Sequence, residues 1–425
     1  MSNPSLQRLR RFRFNLPQRI AALLLLCFLG QWAWLNQHTL LTRNGYRVAA
    51  CGAQMWLPGG FSNQPSTPTA LACGGIADGV LAYRLAGLPV ALHQFFTQST
   101  SQIGSQPAGQ ATADSPQSST LRPAFMLDEA ISGWLLLLVR LPFLLAGLIL
   151  GGCLWWVTRR LFGNVGGYLA LSFYCFSPQM LIYSLVPNNE ILAACGFFAA
   201  FYTAIGVGHA LQGPRRKWRK RIVLMIATLG FTVAAHTTAF MLVLVASLPP
   251  LVWVAEKRRK YLPELTLLWS AGAVFLLGIV HGLNPAAVAA AFVDGLEGLR
   301  LSPQAVPQHL AAITTLPLLL LLVAALAVYG LSRRSRYFGN TLPLLVLIFL
   351  LLVSHAGDGS TSAAGAVPWI WAAPFLLTFV GGIFADALET YLRWPALIVG
   401  GLLLAAQIWL CLHALPVEAW VGLLA

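Results

Sequence analysis

Apolar positions along this chain come in long runs rather than in one-sided stripes. Between Ile20 and Leu415 these runs alternate with short basic or Gly/Pro-containing breaks. Runs of this kind predict membrane-crossing helices, because ~20 apolar residues at ~1.5 Å each cover the ~30 Å hydrocarbon core of a bilayer. The pattern predicts an all-α polytopic membrane protein of about eleven transmembrane helices. They fall at 20–36, 134–158, 165–183, 190–211, 222–235, 237–255, 262–282, 310–330, 341–355, 367–385 and 395–415. The fifth and sixth are short and read together as a tilted hairpin with its tip near His236. The organisation that follows is a basic N-terminal segment 1–19, a first transmembrane helix 20–36, a large loop 37–133, a helical bundle 134–415 and a short tail 416–425.

Composition removes the soluble alternatives. Of the residues, 57% are hydrophobic and only 9% charged, so hydrocarbon must be the solvent for most side chains. A cleaved signal peptide would leave a polar mature chain behind it, so the first run reads as an anchor. The net charge of +14 is explained by topology. With the N-terminus in the cytoplasm, Arg8 to Arg19, Arg159-Arg160, Arg215 to Arg221, Lys257 to Lys260, Arg333 to Arg336 and Arg393 all fall on one side. Arg43, Arg47, Arg84, Arg122, Arg140 and Arg300 fall outside that pattern, and acids such as Asp78, Asp128, Glu129, Glu190, Asp294, Glu297 and Asp358 lie opposite. The basic blocks suit anionic lipid headgroups and contain no base-reading module, so nucleic acid is not an expected partner. In a bacterial cell this describes a multi-pass inner-membrane protein whose 37–133 loop is periplasmic.

Within that loop, residues 97–121 form a Ser/Gln/Thr-rich run too polar for a packed core and read as flexible. The preceding GVLAYRLAGLPVALHQFF has apolar residues near helical spacing, which predicts a helix lying on the membrane surface or packed against the bundle. Cys51 and Cys73 are the loop's two cysteines and stand in the compartment where a disulfide persists. Cys27, Cys153, Cys175, Cys195 and Cys411 sit in apolar runs with no metal-ligand spacing and read as packing residues. No nucleotide-binding, metalloprotease or Ser/His/Asp signature is present in the sequence.

From Arg140 to Thr203 the chain carries Arg140-Leu141-Pro142, then Arg160-Leu161-Phe162-Gly163, then Ser177-Pro178, then Glu190. This ordered set resembles the membrane glycosyltransferases of the protein-O-mannosyltransferase-like superfamily (glycosyltransferase 39-like), whose fold is called GT-C. The resemblance continues more faintly through the hairpin at His236 and through VPWIWAAPFLLTFVGG. It implies transfer of a sugar from a polyprenyl-phosphate carrier to a lipid, glycan or protein acceptor on the extracytoplasmic face. Membrane lipid and the lipid-linked sugar are then the implied partners.

The resemblance also exposes departures. Asn44 stands where relatives place an acidic base and Gly45 where a Glu is frequent, and an amide takes no proton at neutral pH. Thr67-Pro68-Thr69 replaces a His-Pro-Pro-like element, and His236 matches a hairpin Lys. The remaining outside acids, among them the pair Asp128-Glu129, are the substitutes for the missing base. Arg140, His236 and Glu190 are the candidates for phosphate or substrate contact, with Glu190 also a candidate ligand for a divalent cation, Mg or Mn. Each has a structural alternative: snorkelling for Arg140, hairpin hydrogen bonding for His236, and the helix dipole for Glu190. Two other functions stay open. One is a catalytically degenerate relative that binds ligand or serves a membrane assembly alongside partner proteins. The other is a transporter or lipid flippase, against which stands the lack of paired interrupted spans.

Overall fold

The structure, a computed structural model, describes residues 15–56, 79–103, 133–212, 218–296, 299–355 and 369–414. Cys73, Asp128, Glu129 and residues 104–121 of the polar run lie outside them. In chain order the helices are α1 (Leu16–His38), α2 (Arg43–Gln54), α3 (Val80–Ile103), α4 (Trp134–Cys175), α5 (Pro178–Leu185), α6 (Asn189–Leu211), α7 (Trp218–Ala235) and α8 (Thr237–Ala255). They continue as α9 (Leu262–Val280), α10 (Pro285–Leu296), α11 (Val306–Ile313), α12 (Leu316–Leu331), α13 (Phe338–Leu352), α14 (Ala373–Leu388) and α15 (Arg393–Ala414). Two short strands, β1 (Leu299–Leu301) and β2 (Val353–His355), pair antiparallel with Arg300 opposite Ser354.

A helix or part of one covers each expected span. Among the described residues seven helices are long and apolar enough to cross a membrane. Local backbone geometry sets where those helices start and stop. The second and third expected spans are two helical halves of α4 that meet at a kink at Gly163 (φ 80°, ψ −175°), a conformation closed to side chains with a Cβ, and the third continues past Cys175 into α5. Thr314 and Thr315, both extended, separate α11 from α12, and α13 ends where β2 begins. Part of the run expected to be flexible is helical, because α3 continues to Ile103 with Thr97 Oγ1 donating to the His93 carbonyl at 2.9 Å.

The helices belong to two compact units. The first unit is residues 1–37, 147–182 and 298–423. Its core stacks Phe28 on Tyr174 at 5.5 Å, and the Tyr174 hydroxyl donates to the Gly147 carbonyl at 2.6 Å. Buried amides satisfy the backbone where α4 stops before Pro178. Gln31 donates to the Cys175 carbonyl at 3.3 Å, and Gln407 donates to the Phe176 carbonyl at 2.8 Å while its Oε1 accepts from Thr315. In hydrocarbon such carbonyls have no water to turn to. Gln407→Leu is therefore expected to cost about 1 kcal/mol and to lower the thermal midpoint, measured by scanning fluorimetry in detergent.

The basic end of this unit holds a second polar cluster. Buried Asn340 donates through Nδ2 to the Ser335 carbonyl at 3.0 Å and to Asp386 at 2.7 Å, while Arg334 pairs with Glu389 at 3.1 Å. Burial first, and then the charge of Asp386, push Tyr337 up to about 12, so its hydroxyl stays protonated as a donor to that carboxylate. An acid inside an apolar helix is tolerated on these terms.

The second unit is residues 38–146 and 183–297. Here α2 and α3 cross so closely that a Cβ on Gly87 would lie 2.0 Å from the Gly52 carbonyl carbon. Helices α6, α7, α8 and α9 pack as neighbours, and Trp269 Nε1 donates to the Met225 carbonyl at 3.0 Å between α9 and α7.

Candidate functional site

Asn44, Arg140, Glu190 and His236 all fall in the second unit, and the structure gives each a distinct setting. Glu190 occupies the first turn of α6. The chain enters that helix through Asn188, whose Oδ1 accepts from the Glu190 and Ile191 amides at 3.0 and 3.2 Å. Asn188 also donates through Nδ2 to the Tyr183 carbonyl at 3.5 Å, and Tyr183 lies within electrostatic reach of Glu190. Asn188 thus does the capping, and the half-buried Glu190 carboxylate is not itself the cap. Gly79, at φ 72°, passes under Asn189 so closely that a Cβ there would lie 2.5 Å from its Nδ2.

His236 is the extended residue between α7 and α8, and it is half-buried. Its flanking hydroxyls fix the tip. Thr237 donates to the Ala291 carbonyl at 2.8 Å and Thr238 to the Gly295 carbonyl at 2.6 Å, both on α10. Gly196 of α6 abuts Thr232 of α7. Glu190 lies six residues before that crossing and His236 four residues after it on the antiparallel neighbour, which brings both to the same end of the unit. Asp294, exposed on α10, belongs to that end as well. Asp78 and Glu297 lie outside the described residues.

Arg140 is 1% exposed and sits two turns into α4. Its Nη2 donates to the Thr39 and Leu40 carbonyls at 3.1 and 2.8 Å, just past the C-terminus of α1, where a cation meets the negative end of the helix dipole. Tyr46 is within electrostatic reach of it. Those contacts hold the segment that leads into α2, where Thr42 Oγ1 caps the helix by accepting from the Gly45 amide at 3.1 Å. Asn44 is exposed in that first turn. Gly45 is buried, and a Cβ there would stand 3.0 Å from Leu41, which leaves a Glu little room.

Three further groups escaped notice in the sequence because single aromatic or polar residues carry no spacing signal. These are Tyr46, Tyr183 and Trp56, which pairs with Arg84, a residue already set apart in the sequence by its place outside the positive-inside pattern. The Arg84 guanidinium lies 5.2 Å from the Trp56 ring, whose Nε1 donates to the Arg84 carbonyl at 2.9 Å. Burial holds Arg84 below the ordinary arginine range.

Cys51 is buried in α2 and is disulfide-bonded, whereas Cys27, Cys153, Cys175, Cys195 and Cys411 are free thiols. Cys51–Cys73 is the bond proposed from the sequence. Non-reducing peptide mapping is expected to recover those two peptides cross-linked, and reduction is expected to cost about 2–4 kcal/mol of stability.

Comparison with known proteins adds three findings. Residues 127–282 match the family model described as dolichyl-phosphate-mannose-protein mannosyltransferase. No curated protein sequence matches the chain. Among solved structures, ArnT from Cupriavidus metallidurans in the apo state superposes with a TM-score of 0.56 at 15% identity. The match covers 91% of this chain and 63% of ArnT, so the chain spans less than two thirds of that relative's length. At this identity the likeness is one of fold.

Proposed function

Taking as premise that this multi-pass membrane chain has the GT-C fold, we propose that it is a glycosyltransferase that moves a sugar from a polyprenyl-phosphate carrier to a lipid, glycan or protein acceptor. The observation that carries the proposal is that Glu190 and His236 stand at one end of the second unit, with helix capping done by Asn188 rather than by Glu190.

In this reading an acceptor hydroxyl attacks the anomeric carbon. The bond from that carbon to the carrier phosphate oxygen breaks, and polyprenyl phosphate leaves. Glu190 takes the hydroxyl proton, a role that suits a carboxylate better than direct contact with a like-charged phosphate. His236 donates a hydrogen bond to the leaving phosphate and gains charge beside it. Arg140 is a positioning residue that holds the entry to α2. Among the described residues no three metal-ligating side chains gather, and no step here uses a metal. Were a divalent cation, Mg or Mn, used, Glu190 would hold it and the ion would supply positive charge for the leaving phosphate. The positive-inside pattern supports a bacterial inner-membrane setting, with the N-terminus cytoplasmic and the Glu190 end facing the periplasm.

One observation favours a second reading. Asn44 is exposed in the first turn of α2, where it supplies no base, which suits a degenerate GT-C relative that binds carrier or partner subunits without turnover. Purified protein in sealed vesicles separates the readings when supplied with polyprenyl-phosphate sugars, with and without Mg²⁺. Release of free carrier supports the transferase. Binding without release supports the degenerate relative, and solute movement alone would indicate transport.

A further inference from the structure

At the opposite end of the second unit, α8, the 3-10 turn Glu256–Tyr261 and α9 border a groove of 670 Å³, inside the ~300–1,000 Å³ range of ligand sites. Its walls are mainly apolar, with Leu251, Val252 and Leu267 among them, and Arg259 is the charged group lining it. Arg259 Nε donates to the Val252 carbonyl at 3.3 Å, which ties the guanidinium to the groove wall. Four of the five residues Glu256 to Lys260 are basic. Exposed Lys260 lies 5.3 Å from the Tyr261 ring, Tyr261 meets Trp218 edge-on at 5.6 Å, and Trp253 is 59% exposed.

Aromatic rings beside cations mark a membrane–water interface. A groove with a hydrocarbon lining and a fixed arginine there suits an amphiphile with a fatty chain and an anionic head. A sugar or a nucleotide would find too few polar partners along these walls, and a partner helix would have no use for the fixed cation. We propose that this groove binds one anionic glycerophospholipid, with an acyl chain along Val252 and Leu267 and the phosphodiester at Arg259. The site is separate from the Glu190 end and stands or falls independently of the transfer reaction.

The test is native mass spectrometry of the full chain in detergent, titrated with phosphatidylglycerol or phosphatidylcholine. Phosphatidylglycerol is expected to bind about tenfold more tightly, because phosphatidylcholine offers the same phosphodiester but sets its trimethylammonium against Arg259 and the basic residues beside it. Arg259→Gln should erase that preference and leave the thermal midpoint unchanged. Ser270→Phe, which fills the groove, should reduce binding of both lipids, and Thr266→Leu provides a smaller filling variant if Ser270→Phe does not fold. Equal binding of the two lipids, or a preference that survives Arg259→Gln, would overturn the proposal. So would more effective displacement of phosphatidylglycerol by polyprenyl phosphate at equal concentration, since the groove would then belong to the carrier.

Discussion

Gly87→Ala is expected to unseat the α2–α3 pair and to give protein that is poorly stable or fails to accumulate. The added methyl carbon would lie 2.0 Å from the Gly52 carbonyl carbon and 2.2 Å from the Ala53 nitrogen. Both are backbone atoms, so no change of rotamer relieves the clash and the helices must separate. Overpacking of a well-fitted contact costs ~1–3 kcal/mol, and a backbone-on-backbone contact belongs at or above the top of that range. The reciprocal Gly52→Ala meets the Tyr83 carbonyl oxygen at 1.9 Å and is expected to behave alike. Gly206→Ala is the control, because nothing lies within 4 Å of its added carbon. There the higher helix propensity of Ala should leave stability unchanged or raised. Thermal unfolding of the three variants in one detergent decides the matter, and equal midpoints would refute the close crossing.

Glu190→Gln is expected to cut sugar transfer by about 10²–10⁴-fold, the range spanned by loss of a general base, while the protein remains folded. The substitution keeps side-chain volume, and the helix keeps its cap because Asn188 supplies it. Were Glu190 present only to meet the positive end of α6, its loss would cost at most ~1 kcal/mol of stability and activity would fall only in proportion to folded protein. Rate and thermal midpoint measured on the same preparation therefore separate catalysis from capping. Asp294→Asn supplies the comparison, since that acid shares the same end of the unit but is exposed on α10.

Much of the frame was readable from apolar run length. The break at Gly163 and the hairpin tip at His236 carry local chemical signals, a glycine and a polar residue between apolar runs, whereas the expected span 165–183 ran through the break at Ser177-Pro178. Features that rest on distant pairing were not readable. Arg140 meets carbonyls one hundred residues earlier in the chain, and a backbone carbonyl leaves no trace in residue identity. The Gly52–Gly87 crossing joins two isolated glycines with no periodic pattern around them. Polar composition placed the end of helical order too early, because α3 carries its hydrogen-bond ladder into the Ser/Thr/Gln run as far as Ile103. An apolar run likewise gives no notice that Thr314 and Thr315 will be extended.

The central claim is that this chain moves a sugar off a polyprenyl-phosphate carrier at the end of the bundle marked by Glu190 and His236. Release of free polyprenyl phosphate by the purified full chain, from a panel of polyprenyl-phosphate sugars with candidate acceptors present, tests it most directly. The account predicts release by the unaltered protein, its loss in a folded Glu190→Gln variant and its persistence in Asp294→Asn. Carriers that bind and are returned intact by the unaltered protein would contradict it and leave a GT-C fold that serves for binding.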